Sequence, residues 1–293
     1  MKILLLGKNG QIGWELQRTL SYLGEVVAMG SDGIDLAQLS QVADTIRREQ
    51  PEVIVNAAAY TAVDRAEQEA ELAMAVNARA PGVIAEEASE LGAALIHYSS
   101  DYVFDGEKDD LYLESDLPNP LSQYGRSKLE GEKAIEQVGG NYLILRTSWV
   151  YDLRRENFVT KVLKWARSNQ NLRIATDQVG SPTWSRTLAE TTALVLAKGR
   201  DDVLGWLQER KGIYHLAGKG AASRFDWAEA ILELDPGRED GAPAQIQPAE
   251  AEEFPTAARR PAYSALSCDR FEEVFGLEIP DWQAALALAM SGD

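Results

Sequence analysis

Short apolar runs alternate with helical patterns along the first half of the chain. The runs "KILLLG", "EVVAMG" and "EVIVNAAA" are apolar almost throughout, whereas "IGWELQRTLSYLG" repeats its apolar residues at the helical period. Strands without a polar face must be covered on both sides, and their alternation with helices is typical of a parallel sheet. With "ALIHYSSDYVF" and "YLILRTSWVY", the pattern predicts five such strands in an α/β fold with a Rossmann-type doubly wound parallel sheet.

Helices outnumber strands in the pattern after Tyr151. "ENFVTKVLKWARSNQ", "SRTLAETTALVLAKG" and "DWQAALALAM" are helical, "GIYHLAG" is a strand, and Ser223 with Asp226 forms a predicted capping box. Residues 236–261, rich in Pro, Ala, Gly and Glu, predict a long loop with one short strand.

The change of pattern predicts two parts. The first is a dinucleotide-binding domain over residues 1–150, together with parts of residues 185–217. The second is a smaller, interleaved C-terminal substrate lobe that takes most of residues 151–293.

Composition and charge exclude several classes of protein. A net charge of −17 argues against nucleic acid and anionic membrane as partners, because both require a basic face. The single cysteine, Cys268, allows neither an internal disulfide nor a multi-cysteine metal site. The apolar run at the start is too short for a signal peptide, so we expect a cytoplasmic protein.

A glycine turn, "GKNGQIG", lies between the first strand and the first helix. Gly7, Gly10 and Gly13 at that place permit a tight turn, close approach of the backbone to a pyrophosphate and tight packing of the helix on the strand. The following helix N-terminus offers N–H donors to phosphate. The turn therefore predicts dinucleotide binding, although its spacing is GxxGxxG instead of GxGxxG.

Coenzyme choice is read at the end of the second strand, "AMGSDGIDL". A carboxylate there normally binds the ribose of NAD, but this position is occupied by Gly30 and Ser31. Asp32 and Asp35 follow further along the sequence. Because Lys8 could add positive charge, we predict use of both NADPH and NADH with a modest NADPH preference, on the order of tenfold or less.

Tyr124 and Lys128 lie four residues apart on a predicted helix, so they share one face. Reducing a ketone needs a proton donor for the carbonyl oxygen, and a tyrosine serves if a nearby ammonium lowers its pKa. Ser100, at the end of the fourth strand, can hydrogen-bond the same oxygen. All three lie at the carboxyl edge of the predicted sheet, where open α/β folds bind ligands.

The glycine turn, "NAAA", the serine of the fourth strand and Tyr-x-x-x-Lys resemble the extended short-chain dehydrogenase/reductase family. The likeness extends through "VIVNAAAYTAVDRAE", "HYSSDYVFDG", "YGRSKLEGEKA", "RTSWVY", "DQVGSPT" and "RRPAYS", from residue 3 to about residue 264. It is greatest to members that act on nucleotide sugars. The resemblance implies NAD(P)H-dependent reduction of the 4-keto group of dTDP-4-dehydro-L-rhamnose to dTDP-L-rhamnose, for surface polysaccharide, by a monomer or homodimer.

The resemblance also implies roles for individual residues. The catalytic residues would be Ser100, Tyr124 and Lys128. The cofactor would contact Gly7, Gly10, Gln11, Ile12, Gly13, Asp35, Leu36, Ala59, Tyr60, Thr61, Tyr98, Tyr124 and Lys128. The nucleotide-sugar substrate would contact Ser100, Asp101, Tyr102, Trp149, Gln178, Pro182 and Arg260. Asn157 is a weaker candidate for the diphosphate, since "DLRRENF" departs from the family pattern.

Other readings remain open. A nucleotide-sugar dehydratase usually has an Asp-Glu pair after the fourth strand, where this chain has Asp101 and Tyr102. An epimerase, which must retain its oxidised cofactor, is not excluded. A non-catalytic NADP-binding regulatory subunit, like that of methionine adenosyltransferase, also resembles the family.

Several polar or aromatic residues have two interpretations. His97 and His215 fit core positions better than ligand positions, and Trp149 fits the core and the substrate site equally. Asn77 either shapes the site or bends its helix. No cluster at metal-ligand spacing indicates a catalytic metal. Glu15 and Glu190 fit a structural Mg²⁺ at a dimer interface, as in some relatives, or a solvated helix face.

Overall fold

The computed structural model describes residues 1–235 and 244–291 and contains twelve strands in that part of the chain. The strands are β1 (Lys2–Leu6), β2 (Glu25–Met29), β3 (Val53–Asn56), β4 (Ala94–Ser100), β5 (Asn141–Thr147), β6 (Val150–Tyr151), β7 (Asn171–Ala175), β8 (Val179–Gly180), β9 (Thr183–Trp184), β10 (Gly212–His215), β11 (Ala222–Ser223) and β12 (Gln245–Ala249). Six of them form one sheet in the order β10-β5-β4-β3-β1-β2. Every pairing in it is parallel, which confirms the doubly wound α/β fold. The direction of winding switches between β1 and β3, where such folds bind ligands.

Helices cover both faces of this sheet. The described part of the chain contains twelve α-helices: α1 (Gln11–Leu20), α2 (Leu39–Glu49), α3 (Val63–Ala66), α4 (Ala70–Met74), α5 (Ala80–Leu91), α6 (Gln123–Val138), α7 (Phe158–Ser168), α8 (Ser185–Lys198), α9 (Val203–Gln208), α10 (Arg224–Glu233), α11 (Asp269–Phe275) and α12 (Trp282–Met290). One core cluster joins α1 and α8 to the sheet, and a second joins α2, α5 and α6 to the opposite face. Among the described helices, none has the length and apolar character needed to cross a membrane.

A third core cluster lies in the C-terminal half and centres on Trp227. Tyr151, Val159, Leu172 and Trp282 pack with it. The short strands of this half pair as β6 with β9, β8 with β11 and β7 with β12, and the sequence pattern had indicated few of them. In the predicted loop, β12 confirms the one short strand, while residues 236–243 lie outside the described residues. The division into two domains stays a prediction.

Residues 62–92, "AVDRAEQEAELAMAVNARAPGVIAEEASELG", have a helical pattern that predicts one helical segment, but this segment is interrupted in the structure. α3 and α4 are separate short helices, and a five-residue π-helical turn, Ala75–Arg79, precedes α5. Pro81 lies in the first turn of α5 and has no N–H to donate to the carbonyl of Asn77, one turn earlier. The backbone of Gly131 in α6 packs against that same carbonyl. The π-turn therefore forms where the regular ladder cannot continue.

The predicted fifth strand also proves to be two strands. β5 ends at Thr147, and Trp149 adopts a φ of +43°, a left-handed conformation that few side chains tolerate. The chain thereby leaves the main sheet, and β6 pairs with β9 instead. This turn places the Trp149 side chain at the edge of the sheet.

We expect Gly131→Ala to lower the free energy of unfolding by about 1–3 kcal/mol, the range typical of overpacking. The added Cβ would overlap the Asn77 carbonyl oxygen, a backbone atom that cannot rotate away. Gly33→Ala is the control, because its Cβ would meet only the Gly30 oxygen at 3.8 Å. Chemical denaturation of both variants measures the difference, and equal stability would contradict the proposed close packing of α6.

Candidate functional site

A cavity of about 610 Å³ opens at the carboxyl edge of the sheet. Its described lining comprises Gly7, Asn9, Gly10, Gln11, Ile12, Gly30, Ser31, Ala57, Ala58, Ala59, Thr61, Val63, Tyr98, Ser99, Ser100, Asp101, Tyr102, Tyr124, Lys128, Thr147, Trp149, Val150, Arg155 and Arg224. The structure thus brings the glycine turn, the end of β4 and the start of α6 together, as the topology predicted. We call this space the first cavity.

The glycine turn has the shape that close backbone contact requires. Gly7 has a φ of +92°, and a Cβ there would lie 2.7 Å from the carbonyl carbon of Ala57. A Cβ on Gly13 would overlap the carbonyl oxygen of Gly7, so Gly13 serves the packing of α1 and lies outside the cavity lining. Gln11 reaches across the molecule: its Nε2 donates to the Val150 carbonyl at 3.2 Å. The residues fit a dinucleotide pyrophosphate at the start of α1.

Tyr124 lies in the first turn of α6, which begins where the Ser122 hydroxyl accepts from the Gly125 N–H. The backbone of Gly125 packs directly on the Tyr102 carbonyl, which presses this turn against the end of β4. Burial raises the pKa of the Tyr124 phenol, and a hydrogen bond with Ser100 opposes this shift. Ser100 Oγ also donates to Asp101 Oδ1 at 3.1 Å. Ser100 and Tyr124 are therefore direct neighbours.

Lys128 is fully enclosed one turn further along α6. Burial lowers its pKa to about 8, and its ammonium donates to the Tyr98 carbonyl at 2.7 Å. Its Nζ also lies 3.3 Å from His97 Nε2. We had expected this ammonium to lower the pKa of Tyr124; the pKa is instead raised, because burial outweighs the opposing hydrogen bond and the contacts of Lys128 point to β4.

Asp101 ties three segments together through its buried carboxylate. Its Oδ2 accepts from Ser148 Oγ at 2.9 Å and from Ser264 Oγ at 2.6 Å. Burial raises its pKa, and the three serine hydroxyls oppose that shift. Both carboxylate oxygens are engaged within the chain, so a contact of Asp101 with substrate stays a prediction.

Asn77 shapes the site from the π-turn, one of the two roles left open. Its amide accepts from the Tyr60 N–H at 2.8 Å and donates to the Tyr60 carbonyl at 3.0 Å and to Ser127 Oγ at 3.0 Å. It thereby fixes the loop after β3 against α6, so that Ala59 and Thr61 line the first cavity. The Tyr60 hydroxyl turns away and donates to Glu69 at 2.6 Å.

A second cavity of about 510 Å³ adjoins the first and shares Arg224 with it. Its described lining comprises Asn157, Phe158, Lys161, Trp165, Arg173, Ile174, Ala175, Gln178, Arg224, Ala251, Phe254, Thr256 and Arg260. Cations and aromatic rings are present, and no carboxylate occurs among these described lining residues. Asn157 also caps α7 through a capping box. Pro182 is buried outside both linings, and its contact with a nucleotide base stays a prediction.

Arg224 is a site residue that sequence reasoning missed. Its guanidinium carbon lies 3.5 Å from the ring centroid of Trp149, and that ring in turn stacks on Trp227. Burial lowers the pKa of Arg224 to about 10, and Asp101 and Tyr102 oppose this shift. Trp149 thus both lines the cavity and supports a cation. A signal existed in the sequence: an arginine directly after the cap Ser223 sits unfavourably at the positive end of a helix.

The expected cofactor-selecting residues divide between the cavity and its surroundings. Gly30 and Ser31 line the cavity, whereas Asp32 pairs with Lys8 at 2.9 Å, which lowers its pKa. Asp35 is exposed, and its Oδ1 accepts from the Ala37 N–H. Leu36 packs in the core cluster under α2. Contacts of Asp35 and Leu36 with an adenine ring stay predictions.

A structural Mg²⁺ held by Glu15 and Glu190 is not supported. Glu15 pairs with Arg186 at 3.6 Å, and burial together with Glu15 raises the pKa of Glu190. No group of three or more metal-ligating side chains occurs in residues 1–235 and 244–291.

Comparison with known proteins gives a consistent result. The family model for the RmlD substrate binding domain matches residues 1–292. A dTDP-4-dehydrorhamnose reductase from Burkholderia thailandensis is 42% identical over 294 residues, which cover 99% of this chain and 98% of the relative.

Two crystal structures extend the likeness to the fold. A dTDP-4-dehydrorhamnose reductase from Clostridium acetobutylicum has a TM-score of 0.90 and 34% identity, with 99% of each chain covered. One from Bacillus anthracis, in complex with NADP, has a TM-score of 0.89 and 30% identity over 100% of this chain and 99% of that one. The protein therefore belongs to the RmlD substrate binding domain family.

Proposed function

We propose that this protein is an NAD(P)H-dependent reductase that converts the 4-keto group of dTDP-4-dehydro-L-rhamnose to the hydroxyl of dTDP-L-rhamnose. The observation that carries this proposal is the meeting of Ser100, Tyr124 and Lys128 in a cavity that begins at the glycine turn. Relatives at about 40% identity over nearly the whole chain are named for this reaction. The product would supply rhamnose for surface polysaccharide.

The first cavity fits a nicotinamide dinucleotide. Gly7 and Gly10 leave room for its pyrophosphate, and Ala59, Thr61 and Lys128 line the same cavity. When bound, this cofactor supplies the hydride that reduces the carbonyl carbon. The protein's own residues bind and orient the reactants and manage the proton.

Tyr124 would donate the proton that the carbonyl oxygen needs as it gains negative charge. A phenol with a raised pKa is fully protonated at neutral pH, so the proton is present when the reaction begins. Ser100, its direct neighbour, would hold the same oxygen by rotating its hydroxyl away from Asp101. The Lys128 charge would favour the phenolate that remains after proton transfer.

The two cavities together suit a sugar bound to a nucleoside diphosphate. Arg224 stands between them, and Lys161, Arg173 and Arg260 line the second cavity. Arg260 pairs with Asp64 at 2.8 Å, yet its Nη1 is buried without a hydrogen-bond partner in the described part of the chain. A diphosphate near Arg224 and Arg260 would place the base among the aromatic rings of the second cavity and the sugar beside Tyr124.

The other readings have less support. A dehydratase needs an acid and a base after β4, and Tyr102, a phenol with a pKa raised by burial, stands where the second carboxylate would be. A non-catalytic subunit has no need of the complete trio of Ser100, Tyr124 and Lys128. The direct test adds dTDP-4-dehydro-L-rhamnose and NADPH to the protein and follows the loss of nicotinamide absorbance. Absence of turnover with this ketone would overturn the proposal.

We expect Tyr124→Phe to lower kcat by about 100- to 10,000-fold, the usual contribution of a general acid. The ring remains, so the affinity for NADPH, measured by fluorescence titration, should stay within about twofold of wild type. Tyr142→Phe is the control, since this half-buried tyrosine lies outside both cavities. Retention of a tenth or more of the activity would remove Tyr124 as proton donor.

Arg224→Leu should weaken binding of dTDP about 10- to 100-fold, which corresponds to a lost charged hydrogen bond. The melting temperature should fall only slightly, because leucine keeps an apolar contact with Trp149 and the change removes only the attraction between Arg224 and Asp101, which form no ion pair in the described part of the chain. Arg210→Leu is a matched control: Arg210 also stacks on a tryptophan, Trp206, at 3.5 Å, but outside both cavities. Calorimetric titration with dTDP isolates binding from chemistry, and equal affinities would contradict the diphosphate role.

Asp32→Asn should raise the preference for NADPH over NADH several-fold, up to about tenfold. The change frees Lys8, which Asp32 now neutralises at 2.9 Å, to attract a 2′-phosphate. Asp35→Asn serves as the control, because Asp35 caps the Ala37 N–H instead. The measurement is kcat/KM for both cofactors with one ketone. A larger effect at Asp35 would show that the later aspartate reads the ribose.

A further inference from the structure

His97 is a buried titratable residue that the proposed mechanism does not use. It lies in the middle of β4 with no exposed surface. One ring nitrogen, Nδ1, is 3.1 Å from Asn56 Nδ2 on β3, and the other, Nε2, is 3.3 Å from Lys128 Nζ on α6. The imidazole therefore bridges the neighbouring strand and the catalytic lysine.

The hydrogen bonds of Asn56 determine which ring nitrogen carries the proton. Asn56 Oδ1 accepts from the Ala58 N–H at 3.2 Å, so the amide nitrogen of the side chain must face His97. That nitrogen can only donate, and Nδ1 must accept. Because a neutral imidazole has one N–H, the proton of His97 lies on Nε2 and points to Lys128.

An imidazole N–H facing Lys128 has an unequal effect on the two forms of the lysine. An ammonium has three donors and no acceptor, so it meets the Nε2–H donor to donor. A neutral amine can accept from Nε2–H while it donates to the Tyr98 carbonyl at 2.7 Å. His97 Nε2 could accept a hydrogen bond from the ammonium only in the other tautomer of the ring. Asn56 would then have to rotate its amide and lose the hydrogen bond from the Ala58 N–H.

The charged groups around Asn56, His97 and Lys128 do not cancel the preference of His97 for a neutral Lys128. Glu132 on α6 raises the pKa of Lys128, but its carboxylate is bound by Arg146 at 2.6 Å and by Ser99. Between α2 and α5, Arg47 pairs with Glu87. Burial and the charge of Lys128 keep the pKa of His97 well below its usual value, so the ring stays neutral.

We propose that His97 is a positioning residue, held in its Nε2–H tautomer by Asn56, that limits protonation of Lys128 and so sets the upper pH at which the reductase works. The proposal rests on the proposed function for its kinetic consequence, but the tautomer is a property of the protein alone. In the wild type the alkaline fall in kcat/KM should lie near pH 8, where Lys128 loses its proton.

The tautomer can be tested without any substitution. The chain has two histidines, so ¹⁵N NMR of histidine-labelled protein at pH 7 gives a spectrum that His215→Gln assigns directly. The expected result is a protonated Nε2 and an unprotonated Nδ1 for His97. An Nδ1–H tautomer, or a doubly protonated ring, would overturn the proposal whether or not the ketone is a substrate.

Two variants then test the effect on Lys128. His97→Gln replaces the N–H with a side chain whose carbonyl can accept from the ammonium. Asn56→Asp keeps His97 but makes it donate through Nδ1, so that Nε2 accepts from Lys128. Both should move the alkaline fall in kcat/KM upward by about one pH unit, with kcat little changed near neutral pH.

His215→Gln is the matched control for these variants. His215 is equally buried in a parallel strand of the same sheet, and its Nδ1 lies 3.1 Å from the Tyr112 carbonyl, away from Lys128. The His215→Gln protein should be less stable than the wild type, but the pH dependence of its kcat/KM should not shift. If His97→Gln fails to fold, Asn56→Asp and the NMR spectrum decide. An unchanged profile in a folded His97→Gln or Asn56→Asp protein would show that His97 is only a packing residue.

Discussion

The buried carboxylate of Asp101 is the interaction on which the rest of the site depends. It takes hydrogen bonds from serines in three segments: Ser100 at the end of β4, Ser148 after β5, and Ser264 in the C-terminal part. Hydrogen bonds to a charged acceptor are stronger than neutral ones, and here they offset part of the cost of burial. Through this group the strand that carries Ser100 is fixed to the segments that carry Trp149 and Arg260.

Electrostatics explain how an acidic protein can receive an anionic ligand. The chain has a net charge of −17, yet the described lining of the second cavity holds four cations and no carboxylate. Three of these cations, Lys161, Arg173 and Arg260, pair with carboxylates outside the lining, and Arg224 does not. Arg224 is held by stacking on Trp149 instead of by an ion pair, so no paired carboxylate neutralises its charge. Local placement of a few cations therefore matters more for binding than the overall charge.

Much of the fold and the site could be predicted from sequence because their signals are local. Buried strands, the glycine turn and the spacing of Tyr124 and Lys128 are each visible within a few residues. The structure departs from the predicted elements where distant segments contact each other. The examples are the left-handed turn at Trp149 and the π-turn at Asn77, which packs on Gly131. Arg224 was missed for the same reason, since only the folded chain brings it against Trp149. The predicted direction of the Tyr124 pKa shift was wrong, because the sequence spacing of Tyr124 and Lys128 indicates that they are close together but not how deeply the phenol is buried.

The position of Lys128 shows how burial and catalysis are balanced in this site. A fully enclosed ammonium is costly, and its pKa falls to about 8. The Tyr98 carbonyl compensates part of that cost, whereas the Nε2–H of His97 adds to it. A lysine poised near neutral pH can change its protonation at a small cost in free energy, unlike an exposed lysine, which holds its proton firmly. The apolar core beneath α6 thus does more than stabilise the helix, because it sets the chemical state of the residue that α6 presents to the cavity.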